Sequence, residues 1–211
     1  SLKKSAESGG AAAASAGAGE KRSMFMDIYA AAARYHMSRY GTTVRHFAEI
    51  SAKNSYHGSL NERAQFREVL TAEQVLAAPM VAEPLTRPMC SPIGDGAAAA
   101  VVVSERKARE MGIRSPVRVV STVLRSGWDH GTEDAGLAEV CAEQAYEEAG
   151  IGPDDVDVIE LHDASAPAEL MAYESLRLCG KVEGGKLIDE GATKLGGRIP
   201  VNTSGGLLRK G

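Results

Sequence analysis

Val156-Asp157-Val158-Ile159-Glu160-Leu161-His162-Asp163-Ala164-Ser165-Ala166-Pro167-Ala168-Glu169-Leu170 is the stretch whose reading decides the fold. Val156 and Val158 alternate with Asp157, then Ile159 and Leu161 with Glu160, which is the period of a strand. The alternation stops at His162. Ser165, Pro167 and Glu169 then have the chemistry of a helix first turn: a hydroxyl cap, a proline where no amide donor is needed, and an acid near the positive end. His162 and Asp163 are therefore expected in a tight strand-to-helix junction. Ligand crevices of open α/β sheets lie at the carboxyl ends of strands. A histidine there can donate a hydrogen bond to a reacting oxygen or pass a proton near neutral pH. A histidine that merely satisfies its own junction is the competing reading.

Outward from this stretch, strand and helix patterns alternate, which argues for α/β layers. Met24–Tyr40 has apolar residues at helical spacing and ends at Gly41. Thr43, followed by Phe47 and Ile50, starts a second helix. The run Lys53-Asn54-Ser55-Tyr56-His57-Gly58-Ser59-Leu60-Asn61 is polar and reads as turn-rich. Thr71–Ala78 is a short helix stopped by Pro79, and Pro84 and Pro88 keep the next stretch extended. After the turn Cys90–Gly96, where Asp95 has an architectural role, Ala97–Val103 reads as a buried strand. Glu105–Met111 is a helix closed by Gly112. Val117–Val123 is strand-like, and Trp128–Thr132 is a loop carrying His130. Leu137, Val140, Cys141, Ala145 and Ala149 fall at helical spacing. A helix over Ala166–Leu178 and a last strand over Ile199–Asn202 follow. Ser1–Arg22, rich in Ala and Gly, reads either as a flexible segment or as a strand of small residues leading into Gly19-Glu20-Lys21.

The 211 residues, 44% of them hydrophobic, suffice for one substantial domain or two small ones. A net charge of −4 gives no global basic field for nucleic acid, and 5% aromatic residues leave little for base stacking. Cys90, Cys141 and Cys179 are odd in number and lack metal-ligand spacing, so they read as free thiols in a reducing compartment. Cys90 has no histidine nearby in sequence and is expected to be a buried thiol. No apolar run approaches the ~20 residues of a membrane span.

Four segments also carry a resemblance: "DVIELHDASAPAELMAYESLRLC" (157–179), "PVNTSGGLLRKG" (200–211), "CSPIGDGAAAAVVVSE" (90–105) and "MFMDIYAAAARYHMSRYGTT" (24–43). In this order they resemble the sterol-carrier-protein type of thiolase and its bacterial thiolase-like relatives. The resemblance covers most of residues 24–211. It implies a thiolase-like α-β-α-β-α layered fold, incomplete in this chain. On that pattern residues 1–22 end the N-terminal half and 23–88 are an excursion over the active site. Residues 89–115 are the last strand-helix of that half, and 116–211 begin the C-terminal half. The relatives' cysteine nucleophile lies upstream of the Glu-Lys turn, and their second histidine follows the last glycine of Ser-Gly-Gly-x-x-x-x-Gly. The chain is accordingly expected to be an internal piece of a longer subunit, inactive alone.

The resemblance also implies roles for particular residues. His162 would donate into an oxyanion hole and Asp163 would orient its loop. Gly205 and Gly206 would let the backbone approach a coenzyme A thioester, and Asn202 and Ser204 would bond its pantetheine arm. His57, Arg63 and Arg67 either meet the coenzyme A phosphates or belong to a solvated surface; the latter is the default for exposed charge. Ala164-Ser165 stands where the relatives have Cys-Phe or Ala-Phe, so the acyl group is left open. Three functions are implied. The first is a thiolase-type acyltransferase acting on an acyl-CoA, lipid- or steroid-derived. The second is a thiolase-like retro-aldolase cleaving a β-hydroxyacyl-CoA with an OB-fold partner, where Tyr173 or Tyr56 would gain interest; otherwise Tyr173 is packing. The third is a non-catalytic acyl-CoA or lipid-binding relative. No resident cofactor and no metal are implied, the acyl-CoA being substrate. A homodimer in the cytoplasm completes the expectation.

Overall fold

The computed structural model describes residues 24–129, 131 and 134–210. The expected readings of Ser1–Arg22, of His130 and Thr132, and of Gly211 fall outside these residues.

Helix α1 (Met24–Tyr40) ends at Gly41, whose φ of 74° only glycine adopts readily. Helix α2 (Val44–Leu60) follows Thr43, as its sequence announces, and runs straight through the stretch read as turn-rich. The reason for this difference is on its buried face. Phe47, Ile50, Asn54, His57 and Gly58 lie on one stripe at helical spacing, and Lys53 is buried beside them. Half that stripe is polar, so the apolar period fades while the helix continues. Asn61, in extended conformation, ends it.

Helix α3 (Ala72–Ala77) has a reciprocal cap: the Gln74 amide N–H donates to Thr71 Oγ1 at 3.2 Å, and the Thr71 N–H donates to Gln74 Oε1 at 2.8 Å. Strands β1 (Met80–Ala82) and β2 (Leu85–Thr86) form an antiparallel pair around Glu83-Pro84. Pro88 lies in a 3₁₀ turn over Arg87–Met89 rather than in extended chain. Helix α4 (Glu105–Glu110) starts at Ser104, whose hydroxyl accepts from the Lys107 N–H, and Gly112 follows with φ 67°. Helix α5 (Leu137–Ala149) stops at Gly150 with φ 68°. Helix α6 (Ala166–Ser175) starts where Ser165 Oγ accepts from the Ala168 N–H at 3.4 Å, and it ends before the expected Leu178. Helices α7 (Gly184–Asp189) and α8 (Gly206–Arg209) complete the order.

α2 is central and packs against α3, α6, α7 and α8; α1 and α5 flank α6. Their common core holds Phe47, Ile50, Val75, Leu85, Met89, Leu170, Tyr173, Ile199 and Val201. The expected strands are the main correction. Ala97–Val103 and Val117–Val123 have no strand partner among the described residues; Val101, Val117 and Val119 are 89%, 96% and 66% exposed. Val156–Leu161 and Ile199–Asn202 do run side by side, but as a single parallel bridge between Ile159 and Val201. The Ile159 N–H donates to Pro200 O at 3.0 Å, and the Asn202 N–H to Ile159 O at 2.7 Å. A strand forms only where a neighbour takes its backbone groups. The α/β character rests here on that bridge, on an antiparallel bridge between Cys90 and Ser165 and on the β1–β2 pair, the other regular elements among the described residues being helical.

Candidate functional site

The Ile159–Val201 bridge fixes two loops next to each other: 160–165, which leads into α6, and 202–206, which leads into α8. His162 stands exposed on the first. Asp163, the next residue, is fully buried beneath it. Asp163 Oδ1 accepts from the Leu207 N–H at 2.6 Å, and Oδ2 accepts from the Leu208 N–H at 3.4 Å and from Asn54 Nδ2 at 2.9 Å. The expectation that Asp163 orients a loop thus takes a specific form: it caps α8 and ties the second loop to the first.

A second buried carboxylate lies below. Glu169 Oε1 accepts from Lys53 Nζ at 2.7 Å and from the Tyr173 hydroxyl. Its Oε2 accepts from Asn54 Nδ2 at 2.6 Å and from Asn202 Nδ2 at 2.9 Å. Lys53 also donates to Val201 O at 2.7 Å. Glu169 is therefore no first-turn surface acid, as its position suggested, but the centre of a buried network, fully enclosed with Lys53 beside it. A buried charge persists only when paired and hydrogen-bonded. Asn54 pays for its place: with Nδ2 shared between two carboxylates, its buried Oδ1 has no partner among the described residues. An orphan of that kind costs about 1–3 kcal/mol, so the two carboxylates dominate the orientation of the amide.

Burial raises the Asp163 pKa to about 7, the neighbouring Glu169 charge pushing the same way and the Leu207 and Leu208 amides opposing. Burial, then the Glu169 charge, drive the Tyr173 phenol well above its ordinary value. His57 is buried rather than facing a phosphate, which corrects the expectation that grouped it with Arg63 and Arg67. Its Nε2 accepts from the Leu195 N–H at 3.1 Å, so Nδ1 carries the hydrogen and donates to Asn202 O at 3.0 Å. Burial first, then the Lys53 charge, lower its pKa and favour that neutral ring. Arg63 and Arg67 are exposed.

Asn202 is fully buried. Its Oδ1 accepts from the Leu161 N–H at 2.9 Å, so both ends of the amide are engaged inside the protein. Ser204 is half-buried, and Glu160 holds it: the Ser204 N–H donates to Oε1 at 2.8 Å and the hydroxyl to Oε2 at 2.7 Å. The glycines have immediate reasons. At Gly206, φ is 62° and a Cβ would come 2.4 Å from Asp163 Oδ2; at Gly205, a Cβ would come 2.7 Å from the Gly58 Cα. The close approach they permit is first to the protein itself.

Cys90 and Cys179 are half-buried, and burial pushes their thiols up to about 11 and about 12. Tyr173 is fully enclosed, while Tyr56 is exposed on α2. Asp95 is exposed in its loop. Surface hollows beside Tyr146 and beside His46 are lined by other residues than these. Among the described residues no helix is long and apolar enough to cross a membrane. Sequence reasoning found His162, Asp163, Asn202 and Ser204–Gly206, which the structure brings onto two adjoining loops. It missed Lys53, Asn54, Glu160 and Glu169. The signal for the first two was there: Asn54 continues the helical stripe of Phe47 and Ile50.

Comparison with known proteins shows what the chain as a whole is similar to. Residues 131–211 match the family model described as "Thiolase C-terminal domain-like". The chain is 43% identical over 188 residues to the benzoylsuccinyl-CoA thiolase subunit BbsB of Thauera aromatica, covering 87% of this chain and 49% of that protein. It is 37% identical over 193 residues to sterol carrier protein 2 of Rattus norvegicus, covering 87% of this chain and 35% of that one. A solved structure, the Ltp2-ChsH2(DUF35) aldolase, superposes with a TM-score of 0.77 at 29% identity, over 85% of this chain and 49% of its own. The chain thus spans about half, or less, of the length of these relatives.

Proposed function

This chain belongs to the thiolase superfamily, and from that premise we propose that it forms part of an acyl-CoA enzyme in which His162 donates a hydrogen bond into an oxyanion hole. The observation that carries the reading is the position of His162. It is exposed at the bend between the Ile159–Val201 bridge and α6, while the residues on either side of it are pinned from within. A donor held that way meets a developing enolate or thioester oxygen without reorganising. Gly205 and Gly206, with Ser204, would bring backbone to the thioester and pantetheine arm, and Asn202 would set that loop from below. The substrate is a coenzyme A thioester, and the reaction is acyl transfer: thiolytic cleavage or Claisen condensation.

A retro-aldol cleavage of a β-hydroxyacyl-CoA is the second reading. It is favoured by the aldolase neighbour. An exposed Tyr56 is the better acid/base candidate under it, Tyr173 being enclosed. The assembly is a homodimer in the cytoplasm, joined under the second reading by an OB-fold partner. Names such as "subunit BbsB" and "Ltp2-ChsH2" are in keeping with a protein that works in a complex.

The test uses the full-length protein. His162→Ala should lower kcat on the order of 10²–10³-fold, with acyl-CoA affinity within a few fold, because the donor acts on developing charge. Unchanged turnover would remove His162 from the reaction. Coenzyme A-dependent cleavage of a β-ketoacyl-CoA supports the acyltransferase; coenzyme A-independent cleavage of a β-hydroxyacyl-CoA supports the aldolase. Binding with neither reaction would leave a non-catalytic acyl-CoA carrier.

A further inference from the structure

His162 is bracketed by two hydrogen bonds that converge on one oxygen. On its N-terminal side, the Leu161 N–H donates to Asn202 Oδ1 at 2.9 Å. On its C-terminal side, the Asp163 carboxylate accepts from Asn54 Nδ2 at 2.9 Å. Both amides then turn their nitrogens to Glu169 Oε2, Asn202 at 2.9 Å and Asn54 at 2.6 Å. Glu169 Oε1 is taken by Lys53 and Tyr173. A carboxylate has about four acceptor sites, and all are filled by side chains from α2, α6 and the 202–208 loop. None is left for a ligand, so Glu169 cannot touch a substrate in this arrangement. What it can do is fix the two amides, and through them the backbone before His162 and the carboxylate after it.

We propose that Glu169, held by Lys53, is the positioning residue of the His162 loop, locking it through Asn202 and Asn54 and coupling it to the loop of Ser204–Gly206. The role in turnover rests on the acyl-CoA reading above; the holding of the loop does not. The coupling between loops runs through Asp163, which receives Asn54 on one side and the Leu207 and Leu208 amides on the other. Lys53 adds a second tie by donating to Val201 O, on the strand-like stretch that enters the second loop. The ion pair thus joins α2 to both loops at their roots. Glu169→Gln keeps the size of the side chain but turns one end into a donor. That end then faces Lys53 and Tyr173, or the two asparagine amides, so part of the network must open.

The experiment is made on the full-length protein with two readouts. Amide exchange should accelerate at least tenfold at Leu161 and Leu207 in Glu169→Gln, while α5 exchanges as in the parent. Turnover should fall at least tenfold with KM within a few fold. The double variant His162→Ala/Glu169→Gln should be no slower than His162→Ala alone, because a residue acting through another is non-additive with it. Parent-like exchange at Leu161 and Leu207, or losses that multiply in the double variant, would overturn the proposal. Should Glu169→Gln fail to fold, Asn202→Ser removes the amide that links Leu161 to Glu169 and leaves the Asn54 tie to Asp163 in place. Faster exchange at Leu161 with Leu207 unchanged supports the bracket, and no change there overturns it. Equal turnover of parent and His162→Ala would sink the oxyanion reading instead, leaving the holding role to be judged on exchange.

Discussion

Lys53, Asn54, Asp163, Glu169 and Asn202 are polar and buried; Ile93, Val101, Val117 and Leu124 are apolar and 100%, 89%, 96% and 97% exposed. Side-chain hydrophobicity alone would place these two regions the other way round. What separates them is the supply of partners. Each polar group of the first region meets a charge or hydrogen bond from another element, with the Asn54 oxygen as the exception. In the second region, residues 92–103 make no backbone hydrogen bond to other described residues. Burying that backbone unpaired would cost more than its valines return. Burial therefore follows satisfied backbone and charge first, and apolar area second.

The largest effect expected from this contrast is at the apolar centre of the buried region. Phe47 is 1% exposed on α2. In the 211-residue chain Phe47→Ala should cost about 3–5 kcal/mol of unfolding free energy, measured by urea denaturation. Leu124→Ala, the removal of an exposed side chain, should change it by less than about 0.5 kcal/mol. A loss above about 2 kcal/mol at Leu124 would mean that this side chain is covered in solution, and the contrast would break.

The next effect is electrostatic, and its sign is fixed. Asp163 binds its proton in the folded chain up to about pH 7, against an ordinary value of 3.8. The native state therefore holds more protons than the unfolded chain between these values, and stability falls as pH rises through them. Asn54 on α2, Glu169 on α6 and the Leu207 and Leu208 amides are the groups that face it. Asp163→Asn removes the titration. From pH 4 to pH 7 the stability of the parent relative to this variant should drop by a few kcal/mol, with the His57 contribution cancelling in the difference. A difference that stays flat with pH would mean that Asp163 titrates as an ordinary carboxyl, and the buried network would have to be more open than it is here.

Local chemistry was legible in the sequence, and long-range pairing was not. Thr43, Thr71 and Ser165 announced helix starts, and Gly41 and Gly112 announced stops, because a cap or a left-handed turn is decided within a few residues. The second half of α2 was hidden because its inner face carries Lys53, Asn54 and His57, which read as solvent-facing until Glu169 and Asn202 are seen opposite them. Glu169 was hidden for the opposite reason: an acid in a helix first turn already has a sufficient local explanation. Ala97–Val103 and Val117–Val123 show the converse error. Their composition suits a strand, but a strand is a property of two segments, and near His162 the pairing comes as isolated bridges, Ile159 with Val201 and Cys90 with Ser165.

The smallest effect worth measuring tests whether a buried cap follows the same rule. Ser165 is fully buried, and its hydroxyl accepts from the Ala168 N–H at 3.4 Å, close to the limit of a hydrogen bond. Ser165→Ala removes that bond and leaves the Ala168 amide unsatisfied at a partly buried helix start. The methyl gains a little from its apolar surroundings, including the buried Ala164 and Ala166 on either side. If partners outweigh apolar area, as in the Lys53–Glu169 region, the loss should win by about 0.5–1 kcal/mol. The length of the bond puts it at the lower end of cap values. Thr71→Ala, which removes the 3.2 Å bond from the Gln74 N–H and leaves the backbone half of the reciprocal cap in place, should cost at least as much. A stabilised Ser165→Ala variant in urea denaturation would show that area wins at this helix start, and would confine the rule to groups that carry charge.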